Sequence, residues 1–254
     1  MSASGGSTRP DRTVPGGRAG RWLSRALLDV VPRDHRQSQK ALRRRQLVVA
    51  GFVVAGAVVL GVLLRLEPGS TDFVVASLLL AAVWALGAFV SGPLHLGRIA
   101  PRGALGEDTD ELVRPVLTPL ALGFGLAGVF VLGALVVRQI PWLEHQVSSV
   151  LDFADQGSLP VLIAVTAVNG VAEELFFRGA AYAAITRRPV LWTSIAYVVA
   201  TAATGNIMLA FAAILLGVVC GFERRASGGI LAPILTHCAW SLTMLIALPL
   251  LFNT

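Results

Sequence analysis

Residues 116–137 read VLTPLALGFGLAGVFVLGALVV, a stretch without one charged side chain. A helix of about 20 such residues crosses the roughly 30 Å hydrocarbon core of a bilayer. The stretch has none of the period-two alternation that a barrel strand needs. It therefore predicts a transmembrane helix.

Similar apolar runs recur along the whole chain. Of its 254 residues, 55% are hydrophobic and 14% are charged, whereas soluble domains carry about 25% charged residues. Mean hydropathy is +0.71. The chain is thus predicted to be an all-α, polytopic membrane bundle of about seven transmembrane helices. The seven runs are 47–64, 73–90, 116–137, 158–177, 190–203, 207–222 and 230–252. The run at 190–203 is short and contains Thr193, Ser194 and Thr201, which favours a helix that stops part-way across the membrane or lies behind others.

Basic residues alternate between the loops. Residues 1–46 hold eleven of the 21 Lys and Arg against three Asp. The loops that follow lie alternately on the two sides of the membrane. Those on one side hold only Arg65 and Arg138, and those on the other side hold Arg98, Arg102, Arg114, Arg187, Arg188, Arg224 and Arg225. Because cytoplasmic loops are enriched in Lys and Arg, we expect a multi-pass protein of the cytoplasmic membrane with its N-terminus inside and its C-terminus outside.

The chain divides into a basic cytoplasmic tail, residues 1–46, and a membrane domain, residues 47–254. Within the tail, residues 21–31 fit either an amphipathic helix at the membrane interface or a weakly structured linker. Basic flanks beside a first membrane helix favour contact with anionic lipids over a nucleic-acid role. The sequence leaves the oligomeric state open.

Two adjacent acids, Glu173 and Glu174, lie within the fourth run. The other thirteen acids are assigned to the tail, loops or span edges, where they would stay hydrated. Burying an ionised side chain at membrane depth costs several kcal/mol, so an acid pair there is a candidate functional site. Glu174 precedes Arg178 by four residues and is predicted to form an ion pair with it. Glu173 would turn toward a different neighbour and serve as a base.

His237 is the one histidine well inside an apolar run. It should lie at a depth compatible with that of Glu173, so the two could meet across one water molecule. The carboxylate would then take a proton from water, and His237 would stabilise the oxyanion. The alternative is that both acids pair with Arg178 at the water boundary and hold helices together. One membrane histidine with two acids makes a poor zinc site, so we expect no metal and no organic cofactor.

Residues 158–252 resemble the CPBP family of intramembrane proteases, which includes type II CAAX prenyl endopeptidases and the bacteriocin-processing and immunity proteins of the Abi group. Glu173-Glu174-x-x-x-Arg178 matches the family's Glu-Glu-x-x-x-Arg motif. His237 matches the start of a His-x-x-x-Asn/Asp motif, in which Ser241 stands at the second position. The resemblance implies a CAAX-protease-like fold with its catalytic core at about 158–252.

The family's second motif, Phe-x-x-x-His, is altered in this chain, where Tyr197 aligns with the aromatic position and Thr201 with the histidine. A threonine hydroxyl can orient a water, but it cannot shuttle protons as imidazole does. The resemblance implies that Glu173 is the base, Glu174 and Arg178 its support, and His237 the oxyanion donor. Thr201 and Ser241 are the candidate substitutes for the missing motif residues.

Three functions follow from these residues. The leading one is an intramembrane glutamic endopeptidase that cuts a membrane-embedded or membrane-associated peptide or protein with water activated by glutamate. The second is a catalytically impaired relative that binds a membrane partner or confers immunity. A more distant alternative is a small ion or solute transporter that uses the acids and Arg178 as a relay. The identity of the substrate stays open.

Overall fold

A computed structural model describes residues 18–31, 37–67, 70–99, 112–155 and 158–252. These residues form helices, and no strand occurs among them. The helices are α1 Arg18–Leu27, α2 Gln39–Leu63, α3 Thr71–Ser91, α4 Leu117–Val137, α5 Pro141–Asp155, α6 Leu159–Glu174, a π-helical segment Leu175–Ala181, α7 Tyr182–Ala184, α8 Pro189–Ala202, α9 Ile207–Ser227 and α10 Leu231–Phe252.

Six of these helices are long and apolar enough to cross a membrane. They are α2, α3, α4, the continuous rod Leu159–Ala184, α9 and α10. The seventh apolar run forms α8, which has 14 residues and is too short for a full perpendicular crossing. Large apolar side chains cover the outside of the bundle, such as Val54 at 65% exposure and Leu132 at 66%. The chain is an all-α, multi-pass membrane protein, as predicted.

Some element bounds differ from those predicted. An additional helix, α5, occupies a segment that was expected to be an outer loop. Helix α1, Arg18–Leu27, begins three residues before the segment 21–31 and ends within it. It packs against α9. Helix α9 continues to Ser227 instead of ending at Phe222. The apolar run ends at Phe222 because basic residues follow it, although the helix continues through them.

Helix α10 packs against α4, α6 and α9, and this central position determines where its side chains point. Gly123 of α4 permits close contact, since an added Cβ would lie 2.6 Å from the carbonyl oxygen of Thr236. Helices α8 and α9 pack against each other and are joined by a short turn at Gly205 and Asn206. The side chain of Asn206 caps α9 by accepting bonds from two backbone amides of its first turn.

The chain after α3 fixes the start of α10. The amide of Ile230 donates to the carbonyl oxygen of His95 at 2.9 Å, and the amide of Leu231 donates to that of Leu96 at 3.1 Å. Gly229 is required here, because an added Cβ would overlap the backbone of Leu96 and Gly97. This docking sets the depth at which residues of α10 enter the bundle.

Replacing Gly56 by alanine tests the packing of α2 on α3. Gly56 lies against the ring of Trp84, where an added Cβ would overlap the ring. Trp84 is buried against Phe176, so it has little room to move. We expect Gly56→Ala to lower the free energy of unfolding by about 1–3 kcal/mol, as overpacking does. Thermal unfolding of the purified protein in detergent measures the loss.

Gly61→Ala is the matched control, because nothing lies within 4 Å of the Cβ that it adds. Alanine is the better helix former, so this variant should be as stable as the wild type or slightly more stable. Equal destabilisation by the two substitutions would contradict the described packing of α2 and α3.

Candidate active site

The candidate site lies where α6 changes into a π-helix. Helix α6 ends at Glu174, and the wider turns of the π-helical segment follow at once. Such segments are rare and are often found at functional sites. Phe176 and Phe177 anchor this one, with ring centroids 4.6 Å and 5.5 Å from that of Trp84, and Phe177 also lies 5.4 Å from Tyr197. This aromatic packing holds the backbone just before Arg178.

Glu174, Arg178 and His237 are joined through one carboxylate oxygen. Oε1 of Glu174 lies 2.9 Å from Nη1 of Arg178 and 2.9 Å from Nδ1 of His237. Glu174 and Arg178 are fully buried, and His237 is 5% exposed. Arg178 also donates from Nη2 to the carbonyl oxygen of Gly217 at 3.2 Å. One ion pair therefore connects the α6 rod to α9 and α10.

Glu173 lies beside this group and is half-buried. It lies close enough to His237 and Tyr197 to interact electrostatically with both. We call Glu173, Glu174, Arg178 and His237 the charged cluster. Among these four side chains, only Glu173 is appreciably accessible.

The structure brings the four predicted members of the charged cluster together, with one difference in pairing. His237 bonds directly to Glu174, whereas the sequence suggested that it would face Glu173 across a water molecule. The reason is geometric, because Glu174 points inward between Arg178 and α10, and Glu173 is the more exposed neighbour. Glu174 thus supports both the guanidinium and the imidazole.

The two candidate substitutes make bonds within their own helices. The hydroxyl of Ser241 lies 3.4 Å from the carbonyl oxygen of Cys238, and the hydroxyl of Thr201 donates to the carbonyl oxygen of Tyr197 at 3.0 Å. Ser241 follows His237 by one helical turn and lines an apolar cavity. Thr201 follows Tyr197 by one turn of α8.

Tyr197 belongs to the site, although the sequence indicated it only as the aromatic residue of an altered motif. The guanidinium of Arg178 lies over its ring, 4.8 Å from the centroid. Its ring also lies 6.2 Å from that of His237. A tyrosine inside an otherwise apolar run was the signal that could have identified it, since a buried hydroxyl needs a partner.

Glu223 corrects one expectation from the sequence. It was assigned to a span edge, where it would stay hydrated, but it lies within α9 and is 1% exposed. Its Oε1 accepts a hydrogen bond of 2.8 Å from the hydroxyl of Thr236, the residue before His237. The error came from ending the sixth span at Phe222. Glu223 is therefore a second buried carboxyl group, in addition to that of Glu174, close to the charged cluster.

An apolar cavity of about 490 Å³ adjoins the site between α4, α5, α9 and α10. Trp240 and Ser241 line it next to His237, and the ring centroids of Trp240 and His237 are 6.5 Å apart. Gly170 of α6 also lies beside Nε2 of His237, where an added Cβ would be 3.7 Å away. The imidazole thus stands between a polar cluster and an apolar space.

The cluster has the groups needed for proton transfer and anion stabilisation. An ionised Glu174 accepts but cannot donate, so Nδ1 of His237 carries the proton of their bond. Glu173 is then a free acid–base group beside the fixed imidazole. Within the part of the chain that the structure describes, no three His, Cys, Asp or Glu side chains are grouped to hold a metal ion.

Comparison with known proteins gives one match. Residues 155–243 match the family model described as Type II CAAX prenyl endopeptidase Rce1-like. The match covers about a third of the chain and includes every member of the charged cluster. It confirms the resemblance to the CPBP family that the motifs indicated. No curated protein and no solved structure matches the chain.

Replacing Arg178 by methionine tests the buried ion pair. The variant leaves the Glu174 carboxylate without its guanidinium partner, and removal of one member of a buried pair costs about 3–5 kcal/mol. We expect a large fall in the unfolding temperature, measured in detergent. Arg187→Met is the control, because Arg187 is exposed, and it should change the unfolding temperature little. A similar small effect for both variants would show that Arg178 is not held in a buried pair.

Proposed function

We propose that this protein is an intramembrane glutamic endopeptidase, which hydrolyses a peptide bond of a membrane-associated substrate. The observation that carries the proposal is the Glu174 carboxylate, fully buried and shared by Arg178 and His237, beside a half-buried Glu173. The match of residues 155–243 to a CAAX endopeptidase family model supports the same reaction class.

Glu173 is the general base in this proposal. Its side chain is the most exposed of the cluster, and in this proposal water approaches its carboxylate from the exposed side. Glu173 takes a proton from that water as the oxygen attacks the carbonyl carbon of the substrate. When the tetrahedral intermediate collapses and the C–N bond breaks, Glu173 returns the proton to the leaving amine. The products are one carboxyl end and one amino end.

His237 stabilises the oxyanion of the intermediate. Glu174 fixes the ring through Nδ1, which leaves Nε2 as the atom that can face the reacting carbonyl. With a proton on Nε2 as well, the ring is an imidazolium. An Nε2–H donor at that position acts as an oxyanion hole. With Nε2 unprotonated, His237 would instead be the group that activates water.

The substrate is proposed to be a membrane-embedded or membrane-associated peptide or protein. The apolar cavity beside Trp240 and Ser241 supports this, because an extended apolar segment of a substrate could occupy it next to His237. The basic ends of the helices support an N-terminus in the cytoplasm and a C-terminus outside, in the cytoplasmic membrane. The cluster would then work near the inner leaflet.

A catalytically impaired relative that binds a membrane partner is the second candidate. Thr201 favours it, since threonine stands where the family has a histidine, and its hydroxyl is already bonded to the carbonyl oxygen of Tyr197. A protein of this kind would keep the cavity and the buried ion pair but would lack turnover.

The substitution Glu173→Gln separates the two candidates. Glutamine keeps the size of the side chain but cannot accept the proton, so we expect cleavage to fall at least about 100-fold, the lower range for a general base. The assay uses purified full-length protein and a library of membrane peptides. Glu67→Gln, at an exposed position outside the cluster, is the control and should cleave like the wild type. Unchanged cleavage by Glu173→Gln would refute Glu173 as the base, and no cleavage by the wild type would favour the partner-binding relative.

Single substitutions at His237, Thr201 and Ser241 test the roles assigned to these residues. His237→Ala should reduce kcat by about 10²–10³, the usual effect of losing an oxyanion donor. Thr201→Val should leave kcat nearly unchanged, because the Thr201 hydroxyl bonds to its own helix. Ser241→Ala should also have a small effect, for the same reason. A loss for Thr201→Val as large as that for His237→Ala would mean that Thr201 replaces the missing histidine.

A further inference from the structure

A second cavity lies at the end of the bundle where α2 and α8 begin and where α3 and α9 end. Its volume is about 670 Å³. Arg44, Arg45, His95 and Arg224 line it together with neutral residues, and among its described lining residues none is Asp or Glu. We call this space the basic cavity. An opening whose described lining holds three guanidinium groups and no carboxylate is complementary to an anion.

Arg45 is the buried member of this group, with 6% exposure. Its Nη2 donates to the carbonyl oxygen of Pro93 at 3.1 Å, and its Nε has no hydrogen-bond partner among the described residues. Gly92, with a φ of 141°, lets the backbone pass directly beside this guanidinium. A buried cation without a carboxylate partner is costly. Arg45 therefore has no carboxylate partner among the described residues, and the cavity beside it can receive an anion.

The pKa of His95 reflects its burial and the positive charges that surround the cavity. Burial lowers the pKa of His95, and the positive charges of Arg224 and Arg45 lower it further. Arg224 is held firmly, since its Nε donates to the carbonyl oxygen of Arg178 at 2.6 Å and its guanidinium lies 4.7 Å from the ring centroid of Tyr182. The cationic groups thus face one another across a shared space.

We propose that the basic cavity binds the phosphate of an anionic phospholipid headgroup. Arg44 and Arg45 stand just before the apolar run that begins at Leu47, which is the level of lipid phosphates in a bilayer. Below them, Leu47 is 75% exposed on the outside of α2, and so offers a surface for an acyl chain. Basic pockets between transmembrane helices on the cytoplasmic side are known to hold such headgroups. The guanidinium fork fits phosphate oxygens in a bidentate manner.

The cavity also connects to the charged cluster. Arg224 lines the cavity and bonds to the backbone of Arg178, whose side chain holds Glu174. A phosphate bound in the cavity would lie beside Arg224, at this end of α9. The lipid proposal does not rest on the proposed peptidase activity, since it concerns binding alone.

Lipid binding by the full-length protein in detergent tests the proposal. The probe is phosphatidylglycerol, compared with phosphatidylcholine, and binding is measured by native mass spectrometry and by the shift in unfolding temperature that a ligand produces. We expect selective binding of phosphatidylglycerol. Arg45→Gln should weaken it about tenfold or more, as expected when charge-assisted bonds to a phosphate are lost.

Two further variants keep the test decisive if Arg45→Gln folds poorly. Arg44→Gln alters an exposed lining residue and should also weaken phosphatidylglycerol binding without affecting stability. Arg43→Gln is the matched control, because it removes the same charge from an exposed position on α2 outside the cavity. It should leave binding close to that of the wild type. Equal effects of Arg43→Gln and Arg44→Gln would overturn the proposal in favour of diffuse surface attraction.

Competition identifies the source of the phosphate. Glycerol-1-phosphate should displace the lipid only weakly, because it lacks the acyl chains that would lie against α2. Displacement at equal concentration would mean that the site takes a free phosphate ester, and this would contradict the lipid proposal. A peptide with a free C-terminal carboxylate should not compete better than its C-terminal amide. Selective competition by the free acid would overturn the proposal and assign the cavity to a peptide end.

Discussion

A carboxylate enclosed between a guanidinium and an imidazole is the interaction on which the centre of this bundle depends. Glu174 is fully buried and would be intolerable at membrane depth without Arg178 and His237, each 2.9 Å from the same oxygen. Because the three residues come from the α6 rod and α10, with Arg178 also bonded to α9, the ion pair fixes the helices relative to one another. Glu173 lies beside this fixed imidazole, and on this arrangement the proposal of hydrolysis rests.

Much of the fold was predictable because hydrocarbon thickness dictates the length of a membrane helix. The apolar runs located the long helices, and the short run at 190–203 became the short helix α8. Helix α5 was missed because its sequence is too polar to register as a span. The π-helical segment after Glu174 was also missed, since hydrophobic periodicity cannot distinguish it from an α-helix over seven residues.

The candidate site was predictable from the sequence alone, because charged side chains in an apolar run are costly. This cost points to Glu173, Glu174, Arg178 and His237, and these four side chains lie together. The sequence could not predict which glutamate pairs with His237. A helical wheel gives the face on which a residue lies but not how far its side chain extends toward another helix. The burial of Glu223 was not predicted, because an acid beside basic residues at a helix end is expected to be hydrated.

The most direct test of this account is a double-mutant cycle between Glu174 and His237. The free energy of unfolding is measured in detergent for the wild type, Glu174→Gln, His237→Ala and the double variant. The direct bond predicts a coupling energy of about 1–3 kcal/mol between the two substitutions, because contacting residues in one network are not additive. Additive effects would contradict it, since they would mean that the carboxylate and the imidazole do not interact and that the cluster described around them does not exist in the folded protein.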